Sequence, residues 1–219
     1  MNHSPYRREP PYAKHLSRLI RPFPNFDFFF IKRVREKAVQ ALQLRPGGHV
    51  LDLGCGGGGS FPYLVKAVGS TGKVVGVDIS PQSCINARHR VERNGWKNVE
   101  VIEAAAESVD LPGRYDGALM FAAADVYASE SALAHIEPCL KDRARVAIFG
   151  AKLSQGLAGK LLNPFFLLMC RKLSPATPTP DPAPWALLAG RVDDLNVEEL
   201  FFGSMFLASG TLKARQSGA

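Results

Sequence analysis

A run of glycines directly after a short apolar segment is the feature that most constrains this chain. The segment reads His49-Val-Leu-Asp-Leu-Gly-Cys-Gly-Gly-Gly-Gly-Ser60, so an apolar strand carrying an acid, Asp52, leads into five glycines between Gly54 and Gly59. Glycine permits positive φ angles and lets a ligand approach backbone atoms that a Cβ would cover. A strand, a glycine turn and a helix together make the first unit of a nucleotide-binding α/β sheet.

Apolar runs alternate with helical patterns through the middle of the chain. Apolar residues recur every three or four positions from Asp27 to Leu44, which predicts a helix with Asp27 as its N-cap. Strands are predicted at Val50–Leu53, Lys73–Asp78, Val99–Ile102, Tyr115–Phe121 and Arg145–Gly150, and helices at Phe61–Val68, from Ser80-Pro81 to Asn94-Gly95, and at Ser129–Leu140. This alternation favours an α/β fold in which a mostly parallel sheet carries helices on both faces.

The alternation stops after the fifth strand. Leu157–Leu173 is apolar and basic and is interrupted by Pro164, and the next stretch, Ser174–Pro184, has five prolines, which favours an extended surface loop or lid. Two strands, Asn196–Phe201 and Met205–Ser209, then predict a C-terminal antiparallel hairpin, with a frayed tail after Gly210.

Composition narrows the class of protein only in part. With 46% hydrophobic and 21% charged residues the chain is typical of a globular protein, and its net charge of +7 keeps an anionic partner under consideration. The four cysteines have no zinc-site spacing, so no metal is expected. The N-terminal residues lack the apolar core of a signal peptide, and no apolar stretch reaches the length of about 20 residues that spans a bilayer, so a cytoplasmic location is expected.

The glycine turn fits more than one nucleotide-binding pattern. Gly54-x-Gly56-x-x-Gly59 satisfies the dinucleotide fingerprint, whereas the Lys-Ser/Thr ending of a phosphate-binding P-loop is absent. The turn also reads Asp52-x-Gly54-x-Gly56-x-Gly58, which places a carboxylate at the end of the first strand. A negative charge there is unfavourable beside a pyrophosphate and favourable beside a cationic ligand.

This second pattern, followed by Val-Val-Gly-Val-Asp78-Ile-Ser, resembles the class I S-adenosylmethionine-dependent methyltransferases. The resemblance covers roughly residues 27–151 and implies a Rossmann-like sheet of seven strands. It implies that Asp52 and the turn (Gly54, Cys55, Gly56, Gly58) hold the methionine moiety, that Asp78 accepts both ribose hydroxyls, and that Ile79 and Ser83 lie along the adenine. The alternatives are that Asp52 only caps the turn and that Asp78 is a helix N-cap, a role that Ser80 fits better.

The third element of the family pattern departs from the usual sequence here. The family has an acid after the third strand, whereas this chain reads Glu103-Ala104-Ala105-Ala106-Glu107, with Ala105 at the usual acid position. The resemblance then implies that the backbone around Ala105 and Ala106 contacts the adenine and that Glu107 is the nearest side chain. A solvent-exposed helical position for Glu107 is an equal alternative.

The stretch after the fourth predicted strand is expected to face the transferred methyl group, because ligands of open α/β sheets bind beyond the carboxyl ends of the strands. Phe121 is expected to touch the cofactor, Asp125 to hold or deprotonate an amine, and Tyr127 to offer a ring face or a hydroxyl to the substrate. The alternatives are an N-cap role for Asp125 and core packing for Tyr127. The N-terminal aromatics, among them Tyr12 and Phe26, are expected to close over the substrate.

The chain is thus expected to form a single methyltransferase domain over residues 1–219. Its parts are a lid segment (1–26), a cofactor-binding core (27–151), a substrate cap with the proline-rich loop (152–190) and a closing hairpin (191–212). The expected function is methyl transfer from S-adenosylmethionine to a nitrogen or oxygen of a small molecule. No dedicated base is required when the nucleophile arrives deprotonated.

Three other functions stay open from the sequence. The apolar and basic segment after the fifth strand would suit a membrane-surface methyltransferase of lipid amines or quinone-type acceptors, with peripheral membrane contact. The alanine at position 105 and the absence of an obvious base would suit a cofactor-binding protein without methyl transfer. A dehydrogenase is the remote alternative. A nucleic-acid substrate is not expected, because the sequence has no basic stripe with interleaved aromatic residues.

Overall fold

The computed structural model describes residues 29–157, 159–161, 163–164 and 180–214. Within these ranges the main elements follow one another in the order α1 (Phe29–Ala41), β1 (His49–Leu53), α2 (Phe61–Val68), β2 (Lys73–Asp78), α3 (Pro81–Asn94), β3 (Val99–Glu103), β4 (Tyr115–Phe121), α4 (Ala124–Tyr127), α5 (Glu130–Ile136), β5 (Leu140–Ala151), α6 (Ala186–Ala189), β6 (Val192–Leu200) and β7 (Met205–Leu212).

The strands of the described chain form one seven-stranded sheet in the order β3-β2-β1-β4-β5-β7-β6. The first five strands run parallel, with β1 between β2 and β4, while β7 pairs antiparallel with both β5 and β6. The predicted Rossmann-like α/β fold with a C-terminal antiparallel hairpin is confirmed. Because the chain order reverses at β1, the loops after β1 and β4 leave a crevice beside each other at the carboxyl edge.

Two apolar layers cover the sheet, one on each face. Alternate residues of a strand point to opposite faces, so Leu51 and Leu53 enter one layer while Val50 enters the other. The first layer includes α5, and the second includes α1 and α2. Asp52 has the same parity as Val50 and therefore points into the layer beneath α1.

Most of the predicted element boundaries agree with the structure, and β5 is the main exception. The helix predicted at Ser129–Leu140 ends at Ile136, after which a short 3-10 turn leads into β5 at Leu140. Leu140 is buried and pairs with Tyr115 before a register shift in β4. The exposed residues after Leu140 carry no apolar alternation, which is why the sequence pattern placed the start of β5 at Arg145.

The closing hairpin lies within the expected residues 191–212, but its strands are longer than predicted. β6 begins at Val192 and β7 continues to Leu212, and both of these residues are buried, so the tail does not fray directly after Gly210. Asp194 holds this end because its Oδ1 accepts the backbone N–H of Thr211 at 2.9 Å. The acidic pair Asp193-Asp194 resembled a loop in the sequence, but it occupies a register shift within the strand pair.

Several predicted segments lie outside the described residues. These are the lid segment 1–26, the N-cap at Asp27, most of Leu157–Leu173 and most of the proline-rich stretch. Within the described part of the chain, no helix has the length and apolarity that a bilayer crossing requires.

The ring of Phe61 supports the glycine turn from below. Phe61 is fully buried at the start of α2, and its ring lies between two glycines. A Cβ on Gly58 would come within 2.5 Å of the ring, and a Cβ on Gly76 within 2.6 Å. The absence of side chains at these two positions is therefore what lets the ring pack between the turn and β2.

Gly76→Ala tests this packing. The added methyl group has to displace the Phe61 ring, so we expect a loss of about 1–3 kcal/mol in the free energy of unfolding, measured by urea denaturation. In a Phe61→Leu background the ring is absent, so Gly76→Ala should cost much less stability there than in the parent protein. Gly57→Ala is the matched control, since its Cβ would meet no atom closer than 3.6 Å. Additive losses in the double variant would contradict this account.

Candidate active site

The glycine turn leaves its backbone open where β1 ends. Gly54 has a φ of +66° and a Cβ there would lie 2.5 Å from the Cβ of Ala123, so the loop after β4 packs directly on the turn. Gly56 has a φ of +54°, and no atom lies within 4 Å of the place of its missing Cβ. A ligand can therefore reach the backbone at Gly56, where a side chain would stand in its way.

Asp78 fastens the turn to the next loop. Its Oδ2 accepts the backbone N–H of Gly56 at 2.8 Å, and its Oδ1 accepts that of Ser80 at 2.9 Å. The N-cap of α3 is Ser80, whose hydroxyl accepts the N–H of Ser83 at 3.4 Å. Because each carboxylate oxygen has two lone pairs, Asp78 keeps acceptor capacity toward a ligand while it holds the turn.

A shallow pocket opens beside Asp78. Ile79 borders it and is 45% exposed, which leaves an apolar surface uncovered. The segment after β3 forms another wall, and the loop after β4 closes the far side. The lining residues are Gly54, Val77, Asp78, Ile79, Ala104, Ala105, Ala106, Glu107, Asp125 and Val126.

Three carboxylates give this pocket a negative potential. Glu107 accepts a hydrogen bond from the hydroxyl of Ser129 at 3.2 Å, which fixes its position. Burial raises the pKa of Asp125, and the charges of Asp78 and Glu107 add to this effect. The arrangement suits a ligand that presents hydroxyl and amino hydrogens to the pocket wall.

Asp52 is a buried acid directly beneath the turn. It is fully buried, and no group within the described residues meets strict hydrogen-bond geometry to its oxygens, although the nearby Ser60 hydroxyl acts to lower its pKa. Burial raises its pKa to about 7, although the positive charge of Arg35 acts in the opposite direction. Because an unsatisfied buried carboxylate costs stability, its presence here points to a role in binding a cation or a donor.

Arg35 is the site residue that sequence reasoning missed. It extends from α1 over the turn: its Nη1 donates to the Ser60 hydroxyl at 2.8 Å, and its guanidinium lies 4.0 Å from the centre of the Phe121 ring. The guanidinium also lies next to Gly59, where a Cβ would come within 3.1 Å of it. The only available signal was one arginine within an otherwise apolar stripe of the first predicted helix.

Other predicted cofactor residues lie around the turn but outside the pocket lining. Cys55 is buried, and a Cβ on Gly76 would lie 3.0 Å from its Sγ. The Cys55 side chain therefore points into the apolar layer. Phe121 is 8% exposed and stacks on Phe149 with ring centres 4.3 Å apart. Ser83 is placed by its backbone hydrogen bond to the Ser80 cap.

The structure corrects the expectation for Tyr127. The side chain is 2% exposed and packs edge-on against Phe206, at 5.8 Å between ring centres, in the core layer of β7. Gly150 makes room for the hydroxyl, since a Cβ there would lie 2.2 Å from it. Burial raises the pKa of Tyr127 to about 12. In this position it contacts neither the pocket nor solvent, so a substrate-binding or catalytic role has no support. Tyr12 and Phe26 lie outside the described residues.

Comparison with known proteins gives the class. A family model described as a methyltransferase domain matches residues 50–143. A solved S-adenosylmethionine-dependent methyltransferase from Aquifex aeolicus has the same fold, with a TM-score of 0.60 at 23% identity over 86% of this chain and 100% of that one. Residues 50–143 thus match a methyltransferase domain, and the chain shares the fold of a solved S-adenosylmethionine-dependent methyltransferase.

Two curated relatives match about a third and about half of this chain, respectively. Aklanonic acid methyltransferase DauC from Streptomyces sp. (strain C5) is 37% identical over 68 residues, which cover 31% of this chain and 31% of the relative. A 2-phytyl-1,4-naphtoquinone methyltransferase from Trichormus variabilis is 31% identical over 118 residues, which cover 52% of this chain and 51% of the relative. The matched region thus spans about half, or less, of these relatives' length.

Asp52→Asn tests the energetic cost of the buried acid. An unfolded aspartate has a pKa of about 3.9, whereas burial raises the pKa of Asp52 to about 7 in the folded protein. The folded state therefore binds this proton more tightly, and Asp52 lowers stability progressively as the pH rises from about 4 to about 7. The variant should unfold with nearly unchanged free energy near pH 4, and above pH 7 should be more stable by up to about 4 kcal/mol.

Urea unfolding of both proteins across this pH range provides the measurement. Asp110→Asn is the control, because Asp110 is an exposed carboxylate outside the pocket and should show no such pH dependence. An Asp52→Asn variant that is less stable than the parent at pH 8 would show that attraction to Arg35 outweighs the cost of burial.

Proposed function

We propose that this chain transfers a methyl group from S-adenosylmethionine to a nitrogen or oxygen atom of a small-molecule acceptor. The observation that carries the proposal is the fully buried carboxylate of Asp52 beneath a glycine turn whose backbone is open at Gly56. A buried acid of this kind favours a cationic group and disfavours a phosphate. The two curated relatives are named for small-molecule acceptors, which supports the acceptor class.

The residues present fit S-adenosylmethionine. Asp52 would hold the ammonium of the methionine moiety, and Arg35 supplies the complementary charge for its carboxylate. Asp78 would accept the ribose hydroxyls with the lone pairs that remain beside Gly56 and Ser80. The exposed side chain of Ile79 offers an apolar face to the adenine.

Asp125 and Glu107 take the place of the acid that this chain lacks at position 105. Both line the pocket together with Ala105, and the small alanine leaves room between the pocket walls. A carboxylate accepts hydrogen bonds from an amino group. We therefore assign Asp125 to the adenine amino group and no longer to the acceptor, with Glu107 held beside it by Ser129.

When bound, S-adenosylmethionine supplies a methyl group on a positively charged sulfur, which is a good leaving group. The chain's own contribution is to orient the two reactants and to exclude water. Arg35, stacked on Phe121, covers the turn from the side of α1, while Ala123 closes it from the loop after β4. A base is not needed for an acceptor that enters deprotonated.

Asp78→Asn tests the cofactor assignment. The variant keeps the shape of the side chain but loses the charge and one acceptor oxygen, so binding should weaken by about 1–3 kcal/mol. Isothermal calorimetry with S-adenosylhomocysteine measures this, and Asp110→Asn should bind like the parent protein. Binding of a nicotinamide dinucleotide together with no binding of S-adenosylmethionine would overturn the proposal. A protein that binds the cofactor but forms no S-adenosylhomocysteine with any amine or phenol acceptor would have no transferase function.

Asp125→Asn separates a cofactor role from a catalytic one. If Asp125 binds the adenine, the KM for S-adenosylmethionine should rise by about tenfold while kcat stays near the parent value, because the lost hydrogen bond lies away from the methyl group. The kcat profile against pH should keep its shape. A large fall in kcat with an altered pH profile would instead assign Asp125 to the acceptor.

A further inference from the structure

An apolar patch is exposed at the carboxyl edge of the sheet. Four large side chains form it: Leu157 is 88% exposed, Leu161 84%, Phe202 71% and Phe201 45%. Several such residues on neighbouring segments are unusual on a protein surface that meets only water, whereas single exposed apolar residues are common. These four residues constitute the apolar patch.

Contacts of the backbone hold the parts of the patch together. Leu157 and Leu161 are four residues apart on a helical turn, in which the N–H of Lys160 donates to the carbonyl of Gly156 at 2.8 Å. Side chains at this spacing lie on one side of a helix. The turn packs on the hairpin tip: Ser154 Oγ donates to the carbonyl of Phe202, and a Cβ on Gly159 would lie 2.7 Å from that oxygen.

The hairpin tip keeps two aromatic residues in an unfavourable backbone conformation. Phe201 has a φ of +50° and Phe202 a φ of +54°, the left-handed region that favours glycine and asparagine. Each such residue costs about 1–3 kcal/mol. Phe201 gains packing from its ring contact with Phe30, whereas Phe202 is 71% exposed, so the retention of an aromatic residue at position 202 points to a function outside the fold.

The patch lies at the same edge of the sheet as the pocket. Met205 at the start of β7 pairs with Ala151 at the end of β5 and with Leu200 at the end of β6. The tip between β6 and β7 therefore lies at the carboxyl ends of the parallel strands, toward β5. Phe201 also meets α1, with its ring 3.9 Å from that of Phe30.

The charges around the patch favour an anionic partner. The two acids nearest the tip are neutralised, because Glu198 pairs with Lys37 and Glu199 with the buried Lys152. Lys160 is exposed between the two leucines of the patch. The described residues from Ser154 to Pro164 include no acid.

We propose that the apolar patch docks the protein on an anionic lipid bilayer, with Leu157, Leu161 and Phe202 entering the interface and Lys160 contacting head groups. Apolar side chains flanked by basic residues are the usual means of such peripheral attachment. Docking in this orientation turns the pocket edge toward the membrane, so that an acceptor dissolved in the bilayer reaches the site without crossing water. This inference goes beyond the proposed reaction and does not depend on it.

Sedimentation of the full chain with vesicles tests the proposal. Vesicles of phosphatidylcholine with phosphatidylglycerol should carry the protein down, and raised salt should release part of it. Phe202→Asn and Leu157→Gln should each weaken this binding about tenfold or more, because each removes an inserted apolar side chain. Lys160→Gln should weaken it about fivefold, and should leave any residual binding to pure phosphatidylcholine unchanged.

The control is Ile85→Gln, which removes an apolar side chain that is 44% exposed on α3, at the other end of the sheet. Its vesicle binding should match the parent. Phe202→Asn should also be at least as stable as the parent in urea, because asparagine tolerates the left-handed conformation, so its loss of binding cannot come from unfolding. Calorimetric binding of S-adenosylhomocysteine should stay unchanged in all variants, which separates this inference from the proposed function.

Two results would overturn the proposal. One is the absence of vesicle binding by the parent protein, or binding that the patch variants leave unchanged. The other is self-association of the parent that the same variants abolish without any vesicle binding, which would assign the patch to contact between two copies of the chain.

Discussion

The carboxylate of Asp78 holds the two loops from which the site is built. One oxygen is bound to the backbone of the glycine turn and the other to the backbone at the start of α3. The strand that carries Asp78 is in turn fixed between β1 and β3. The glycines of the turn, which have no side chains to hold them, can therefore keep their positive φ angles. The backbone of the turn stays available to a ligand.

The site contains a buried acid, Asp52, that lowers the stability of the fold. Asp52 occupies a position that an apolar residue would fill at lower cost, since it points into the layer that holds Val50 and Phe61. Arg35 reduces that cost without removing it. Local departures from good packing of this kind are expected where a protein binds its ligand.

The sequence predicted the fold well because the fold depends on local patterns. Phe61–Val68 and Lys73–Asp78 were predicted with the observed bounds, and the pocket brings together Asp78, Ile79 and Ala105 as expected. Tyr127 was misplaced because α4 is a single turn: Asp125 lines the pocket while Tyr127, two residues later, enters the core. Periodicity cannot orient so short a helix. Arg35 was missed because its role arises only when α1 folds over the distant turn.

The buried position of Tyr127 also links the loop after β4 to the end of the chain. Its ring rests on Phe206, which packs against Trp185, and the ammonium of Lys152 lies 5.1 Å from the centre of that indole ring. The loop that packs on the glycine turn is thus supported from behind by side chains outside the pocket lining. A substitution at Phe206 or Trp185 can therefore shift that loop, while the hydrogen bonds from the backbone amides of Gly56 and Ser80 to Asp78 stay as they are.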